Sequence, residues 1–454
     1  MMKPTASHRF SIGASNPRRV SGFRRLLLIG ALASALVVLL AGCNRPAESD
    51  ELTPAPGASA TVEDAALSSS TEESAEAPAD ARQLVIWAPP FMSITQDSNA
   101  DAVLAAAITQ FEQDHPNVRV EIQTKEESGT SSAFNYLRSA QKAAPSVLPD
   151  IALLSTDELW QAAELGLIPP LERSDLARMG DFYTFARQAV AFEDQILGVP
   201  YVADMLHLVY HQGNPETPPR TWEMLFDLKQ PYLFPAASPD GYSNDSLLLQ
   251  YVGAGGELLE SGEVSNPAAL EAVFEFLMDG RELGVIPPEV DGYARLQTVW
   301  EAFLASDNGM ADTSVHLILS RQDTPETSDY GVVPTLIGEP TTIARTWAFA
   351  ILSDDPEQRE LALALIQALL EPSVHGSWSQ FSARTPTQPA AFDAWSTGNA
   401  YYEFLRSELA PVAVAIPNGR RFADFSARLQ EAQHKVLSGQ STPADAALDV
   451  QVTP

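Results

Sequence analysis

The sequence predicts an α/β fold in which a mostly parallel sheet is flanked by helices on both faces. Strand-like and helix-like segments alternate after residue 82, and one of the strand-like runs is apolar along its whole length. The chain of 454 residues is also too long for one ordinary hydrophobic core. Two or more lobes are therefore expected.

Hydrophobic spacing gives the first elements in order. Residues 83–88 are a β-rich run that ends at two prolines, and residues 104–111 carry apolar side chains at helical spacing. Residues 118–122 alternate between apolar and charged side chains, which predicts a half-buried strand. The apolar run 151–154 predicts a fully buried strand, and 158–165 a helix that ends before a glycine.

The later half of the chain is richer in predicted helix. Asn266-Pro267 and Asp355-Pro356 each predict a helix start, with proline at the first helical position. Apolar residues at helical spacing over 422–436 predict a third helix, which ends before Gly439. The sequence holds no repeat of 20–50 residues.

The charge and the cysteine count argue against several functions. The chain has 28 Lys and Arg residues against 59 Asp and Glu residues, a formal net charge of −31. Nucleic acid needs a basic face, and an anionic membrane surface attracts basic segments. A single Cys can form neither an internal disulfide nor a Cys-based metal cluster. We expect no nucleic acid, no metal and no cofactor.

The first 42 residues have the pattern of an export signal. They contain six basic residues and no acidic ones, and the apolar run 26–40 is shorter than the about 20 residues of a membrane-spanning helix. The run ends in Leu40-Ala41-Gly42-Cys43, which resembles the bacterial lipobox. We therefore expect a signal peptide over 1–42 and a lipid on Cys43 that anchors the protein outside the cytoplasm, in the periplasm or at the cell surface. An ordinary signal peptide with an incidental Cys is the alternative.

Residues 43–82 predict a disordered tether. Pro, Ala, Ser, Thr, Glu and Asp dominate, large aliphatic residues are few, and aromatic residues are absent. Such a segment buries too little apolar surface to offset its ordering entropy. It would hold a folded body, residues 83–454, away from the membrane.

A series of short motifs runs through the folded body in a recognisable order. The motifs are Phe111-Glu112 with 115–120, Pro149-Asp150-Ile151, 165–171, 198–201 with 208–210, 219–225, 309–312, 330–334 and 436–448. Over about 370 residues the series resembles extracellular solute-binding protein family 1, the maltose-binding-protein-like receptors of bacterial ABC importers. The chain departs from the family's usual Tyr-Asn-Lys at Tyr210-His211-Gln212.

The resemblance implies a periplasmic-binding-protein-like fold with two lobes joined by crossing hinge segments. Lobe 1 would comprise 83–205 plus 310–342, and lobe 2 would comprise 206–309 plus 343–454. The crossings would lie near 203–208, 306–312 and 340–346. A monomer would capture a small solute by hinge closure and present it to ABC transporter permease subunits.

The resemblance and the strand ends together suggest the ligand contacts, because ligands of open α/β sheets bind beyond the carboxyl ends of the strands. The candidates lie in loops after strands, at crossings and at family positions in the second lobe: Trp87, Phe91, Ser155, Asp157, Asp204, Tyr242, Asp312, Arg345 and Trp347. Aromatic rings that stack on sugar C–H faces and polar groups that bind hydroxyls make a carbohydrate the expected solute.

Structural roles compete with ligand binding at several of these positions. Trp87 could pack in a core, Asp157 could cap the following helix, and Tyr242 could lie in solvent. Trp378 and Arg384 are candidates for the rim of the cleft. His207 and His211 have metal-ligand spacing, but the glutamate of the helical zinc motif is missing between them.

Other functions remain open. The same fold could bind a polyamine or glycerol phosphate, and a ligand-sensing lipoprotein would look similar. A secreted hydrolase is a further alternative: glycoside hydrolysis needs two carboxylates at a defined separation, and the chain has 59 acidic residues that could supply them. No catalytic residue is predicted.

Replacing Cys43 with Ser should release the protein from the membrane, because a hydroxyl cannot form the thioether that carries the lipid. Fractionation of cells that express either form measures this directly. Membrane retention of the Cys43→Ser variant would contradict the predicted anchor.

Overall fold

The computed structural model describes residues 81–95, 98–321 and 328–451. The predicted signal peptide, Cys43 and the predicted tether up to residue 80 lie outside the described residues, so these features stay predictions. Within the described ranges, no helix is both long enough and apolar enough to span a bilayer.

The strands of the described chain include the three predicted early strands. They also include two long strands, residues 199–211 and 342–351, which carry much of the candidate site. In chain order the strands are β1 Arg82–Ala88, β2 Val118–Thr124, β3 Ile151–Ser155, β4 Ala191–Phe192, β5 Gln195–Ile196, β6 Val199–His211, β7 Tyr232–Leu233, β8 Met310–Ser314, β9 Ser328–Gly331, β10 Thr342–Ile351, β11 Thr385–Pro386 and β12 Ala413–Ala415.

The α-helices begin where the sequence supplies caps. Asn266 and Asp355 accept hydrogen bonds from backbone N–H groups of the first turn and are followed by proline, which confirms both predicted starts. The helices are α1 Asn99–Asp114, α2 Ala133–Ala143, α3 Thr156–Glu164, α4 Arg173–Arg178, α5 Thr184–Ala189, α6 Trp222–Leu228, α7 Asp245–Gly253, α8 Pro267–Glu282, α9 Leu296–Leu304, α10 Val315–Leu319, α11 Pro356–Leu369, α12 Pro372–Phe381, α13 Ala400–Phe404, α14 Arg420–Leu437 and α15 Pro443–Gln451.

One mixed sheet runs through the described chain, in the order β2-β1-β3-β10-β6-β8-β7. Strand β1 pairs in parallel with β2 and β3, as predicted. Strand β10 is antiparallel to both β3 and β6. Around the second half of β6 the pairing is mostly antiparallel, since β8 and β9 both run against β6 and only β7 is parallel to its neighbour β8. The predicted parallel pairing therefore holds for β1 and its two neighbours, and the sheet as a whole is mixed.

Two hydrophobic cores lie along this sheet and define two lobes. The first contains the buried apolar residues of 84–205 and 344–415, and the second those of 206–311 and 422–450. Val315 and Val332 also pack in the first core, whereas Val333 and Ile343 pack in the second.

The two cores divide the chain differently from the expected boundaries. Residues 343–454 were expected in lobe 2, but 344–415 pack in the first core because Trp347–Ile351 of β10 form a ladder with β3. Residues 310–342 were expected in lobe 1, but Met310 and Ala311 pack in the second core because β8 pairs with the second half of β6.

Strands β6 and β10 each pass from one core to the other. The side chain of Met205 packs in the first core and that of Leu206 in the second; on β10 the change falls between Ile343 and Ala344. These positions fall inside 203–208 and 340–346, which are two of the three expected crossings. The two strands are hydrogen-bonded to each other there, so the lobes share a continuous piece of sheet.

The second core encloses a chain of hydrogen bonds between polar side chains. Trp222 Nε1 donates to Gln250 Oε1 at 2.7 Å, Gln250 Nε2 donates to Tyr232 Oη at 3.3 Å, and Tyr232 Oη donates to Asp312 Oδ1 at 2.7 Å. Asp312 is fully buried. Although it was expected in the ligand cleft, it lies inside the second lobe, where it supports the tyrosine.

Asp312→Asn is expected to make the free energy of unfolding fall less steeply as the pH rises. Burial raises the pKa of Asp312 to about 7, against the hydrogen bond from Tyr232, whereas an unfolded aspartate titrates near 4. The folded state therefore holds this proton more tightly, and the free energy of unfolding falls as the pH rises from about 4 through about 7. Between about pH 5 and about pH 8, the free energy of unfolding of the variant should therefore fall by up to roughly 3 kcal/mol less than that of the unchanged protein.

Urea unfolding at both pH values measures this difference. Asp227→Asn, at an exposed position of α6, is the matched control and should behave like the unchanged protein. Glu158, whose pKa burial also raises to about 7, is present in all three proteins and contributes equally. Identical pH dependence in the Asp312→Asn variant and the control would show that Asp312 does not retain its proton.

Candidate ligand-binding site

A row of charged side chains crosses the sheet at the point where β6 and β10 change cores. Arg345 of β10 stands opposite Asp204 of β6, and Thr385 of β11 stands opposite Ala203 on the other edge of β6. The preceding residue, Arg384, therefore adjoins Asp204. Because opposed residues in neighbouring strands share a face, Arg345, Asp204 and Arg384 form one row, which we call the floor of the site.

Arg345 binds one carboxylate from each lobe. Its Nη1 donates to Asp157 Oδ2 at 3.0 Å, and its Nε and Nη2 donate to the two oxygens of Asp245 at 3.0 and 2.7 Å. Asp157 lies on α3, which packs on the first core, and Asp245 lies on α7, which packs on the second. The coulombic attraction of Asp245 raises the pKa of Arg345, so the guanidinium stays charged. Arg345 is thus an ionic link between the lobes.

A cavity of about 550 Å³ opens beside Arg345. Residues of α3, of the loop before α7 and of the segment that leads into α14 line it: Asp157, Trp160, Tyr242, Arg345, Asn418 and Phe422 are among them. The volume lies in the usual range for small-molecule sites, and the lining combines aromatic with polar groups from both lobes. The arrangement can hold a small polar molecule between the two lobes.

An aromatic cluster formed by Phe91 and Trp347 lies near Arg345. Trp347 is two residues beyond Arg345, so both side chains point to the same face of β10. The rings of Phe91 and Trp347 meet edge to face with centroids 5.7 Å apart. The guanidinium carbon of Arg384 lies 4.6 Å from the centre of the Phe91 ring and 5.2 Å from that of Trp347. Partly buried aromatic faces of this kind suit stacking on a ligand.

Two carboxylates and one neutral imidazole lie around Arg384. Its Nη2 donates to Glu127 Oε1 at 3.3 Å, and Asp204 Oδ1 accepts the backbone N–H of His316 at 2.9 Å. Burial lowers the pKa of Arg384, and the nearby Asp204 and Glu127 oppose that shift. Burial, followed by the charge of Arg384, lowers the pKa of His316, so its imidazole is held neutral and donates from Nδ1 to the Ala383 carbonyl at 3.2 Å.

The structure brings together six of the nine residues predicted for the site. They are Phe91, Asp157, Asp204, Tyr242, Arg345 and Trp347, which lie on the floor, at the cavity or in the aromatic cluster. Whether they contact a ligand stays a prediction.

Of the other three predicted residues, Trp87 and Asp312 lie elsewhere, whereas Ser155 stands opposite Trp347 at the end of β3 and is used as a helix cap. Trp87 is buried, and its Nε1 donates to Gln123 Oε1 at 2.9 Å. The ammonium of Lys125 stacks on its ring at 4.7 Å, on the opposite side of β1 from the apolar residues 84 and 86. Ser155 caps α3 by accepting the Glu158 N–H at 3.3 Å, the role that had been considered for Asp157. Asp312 is enclosed in the second core.

Several residues of the site were not predicted from the sequence. Contacts between segments far apart in the chain bring Trp160 and Asn418 to the cavity, Asp245 to Arg345, and Glu127 and His316 to Arg384. Two local signals were available. Asn244 before Asp245 is a typical helix cap, and Ile416-Pro417-Asn418-Gly419 is a typical turn before α14. In the described ranges, no group of three or more His, Cys, Asp or Glu residues is arranged to hold a metal ion.

Two lobes joined by crossing strands, with polar and aromatic groups of both lobes around a cavity, define a two-lobed binding protein of the periplasmic-binding-protein type. The chain belongs to the bacterial extracellular solute-binding protein family. The model of that family matches residues 106–401, which is more than half of the chain. This confirms the resemblance predicted from the sequence motifs, and an extracellular family places the folded body outside the cytoplasm.

Solved structures with a similar fold include several sugar-binding proteins. The cyclic α-maltosyl-1,6-maltose binding protein of Arthrobacter globiformis matches with a TM-score of 0.66 at 19% identity, over 82% of this chain and 97% of that one. The sugar-binding protein MalE of Xanthomonas citri gives 0.66 at 16% identity, over 81% and 95%. Maltose-bound MalE3 of T. maritima gives 0.61 at 20% identity, over 82% and 98%. At these identities the likeness is one of fold.

Arg345→Gln should destabilise the protein by about 1–2 kcal/mol, because it leaves Asp157 and the mostly buried Asp245 without their shared cation, and solvent screens part of the loss at the 42% exposed arginine. Urea unfolding at low ionic strength measures the change, and added salt should reduce it by screening the carboxylates. Arg220→Gln is the matched control: Arg220 forms a single exposed pair with Glu408 at 3.2 Å, worth at most about 1 kcal/mol. Equal losses in the two variants would contradict the role given to Arg345.

Proposed function

We propose that this protein is the lipid-anchored solute-binding component of an ABC importer and that its solute is an uncharged sugar or oligosaccharide. The observation that supports this most directly is the cavity beside Arg345, which both lobes line with aromatic and hydrogen-bonding side chains. Hinge closure would bury the solute there and present it to the permease subunits of the transporter. The protein would act as a monomer, held at the membrane through Cys43, and would release its solute unchanged.

The charges of the site favour an uncharged solute over a phosphate. Phosphate recognition usually depends on an arginine fork that is available to the anion. Arg345 is held by Asp157 and Asp245, and Arg384 is close to Glu127 and Asp204. A phosphate at the floor would therefore approach four carboxylates. This argues against glycerol phosphate, one of the alternatives left open by the sequence.

The fold relatives support a carbohydrate. The proteins from Arthrobacter globiformis, Xanthomonas citri and T. maritima are described as binding a cyclic maltosyl-maltose, sugar and maltose. Sugars also fit the aromatic and carboxylate groups found here, since their C–H faces stack on rings and their hydroxyls bond to charged groups.

A cationic solute such as a polyamine is the second candidate. Asp157, Glu164 and Asp240 all line the cavity, and Asp245 lies beside Arg345, whereas the cations of the lining are Arg345 and Arg420. An excess of carboxylates attracts a cation in a confined site.

Thermal unfolding in the presence of maltose, trehalose, sucrose, glucose 6-phosphate and spermidine tests these proposals. A sugar at about 100 times its Kd should stabilise the folded state by roughly 2.7 kcal/mol and raise the Tm. Recovery of the sugar unchanged would support a binding protein, whereas its conversion to product would establish a hydrolase. A Tm increase with spermidine alone would favour the second candidate. Loss of uptake of the same sugar in a deletion strain would separate import from sensing.

A further inference from the structure

The guanidinium of Arg384 is buried but incompletely hydrogen-bonded. Its side chain is only 4% exposed, and Nη2 alone has a partner, Glu127. Among the described residues, neither Nε nor Nη1 of Arg384 has a hydrogen-bond acceptor, although both atoms are shielded from solvent. Buried donors of a charged group are costly to leave unpaired, so a native protein normally gives them a partner.

The position of this guanidinium is fixed by its surroundings. The Arg384 N–H donates to the Ser379 carbonyl at 2.9 Å, and Ala383 before it takes a positive φ of 57° at the end of α12. The rings of Phe91 and Trp347, both only partly buried, lie against the guanidinium. The two unpaired donors are therefore held at one end of the floor beside two aromatic rings, and Arg345 at the other end lines the cavity.

We propose that Arg384, Phe91 and Trp347 form a ligand subsite for one uncharged sugar ring, in which Arg384 Nε and Nη1 donate to ring or hydroxyl oxygens. The C–H face of the sugar would pack on the part of the Trp347 ring that Arg384 leaves uncovered. The inference rests on the proposed function and assigns to Arg384 a direct part in specificity, in place of the rim position suggested by the sequence.

The neighbouring charges decide which ring is accepted. Glu127 and Asp204 already surround the single guanidinium, so a uronate or a sugar phosphate would add a third anion at this place. A cation at this place would lie next to the guanidinium charge of Arg384 and be repelled by it. A neutral ring avoids both conflicts, and its hydroxyls can also donate to the carboxylates.

Isothermal titration of the full chain with maltose, trehalose, sucrose, glucuronate, glucose 6-phosphate and spermidine tests the subsite. Arg384→Lys keeps the charge but removes the Nε and Nη1 donors, and it should raise the Kd for the neutral sugar that binds by about 10-fold or more. Trp347→Leu should raise it by a similar factor through loss of stacking. Arg281→Lys is the matched control and should leave the Kd unchanged: Arg281 is ion-paired with Asp291 in the second lobe, and its Nε also has no partner among the described residues.

The outcomes separate this inference from the proposed function. Binding of a neutral sugar with the same Kd in the Arg384→Lys variant and the unchanged protein would overturn the subsite and leave the sugar-binding function standing. Tighter binding of glucuronate or glucose 6-phosphate than of any neutral sugar would also overturn the subsite. Binding of spermidine alone, or of no compound by a chain that unfolds cooperatively, would overturn both. If Arg384→Lys does not fold, the Trp347→Leu variant decides in the same way.

Discussion

The antiparallel pairing of β6 with β10 is the constraint on which the rest of the structure depends. Each strand supplies buried side chains to both cores, so neither lobe can be completed without the other. The same pairing sets Arg345 opposite Asp204, and the short strand β11 on the other edge of β6 brings Arg384 to the same row. The ladder that joins the lobes therefore also builds the floor of the site.

The side chains around the floor are carried by elements that pack against the β6–β10 ladder. The short β3 ends opposite Trp347, so Ser155 and the start of α3 lie beside β10 and bring Asp157 to Arg345. The cap of α7 brings Asp245 from the opposite lobe. A single guanidinium thus compensates two helix-borne carboxylates, each near the N-terminal end of its helix, where negative charge is favoured. The loops before α7 and α14 bring other groups, such as Tyr242 and Asn418, to the cavity.

Local sequence patterns predicted the elements better than they predicted the division into lobes. Strands β1 to β3 and the starts of α8 and α11 could be read from alternation, apolar runs and Asn-Pro or Asp-Pro caps, because those signals act between near neighbours. The return of 344–415 to the first core depends on the β10–β3 ladder, whose partners are about 200 residues apart, and no local pattern specifies it. The site shows the same limit. Arg345, Asp157 and Trp347 were predicted, but Asp312 resembled a crossing residue in sequence and is held in the second core by Tyr232, whereas Arg384 gains its importance from Phe91, Glu127 and Asp204.

The two partly exposed tryptophans of the protein both lie near the candidate site. Of its seven tryptophans, Trp87, Trp222, Trp300, Trp378 and Trp395 are buried, and only Trp160 and Trp347 are partly exposed. Trp160 lines the cavity, and Trp347 lies beside it against Arg384. The emission that responds to the surroundings of the protein therefore comes from two indoles at the site, over a constant background from the interior. Intrinsic fluorescence therefore offers a probe of the candidate site that needs no attached dye.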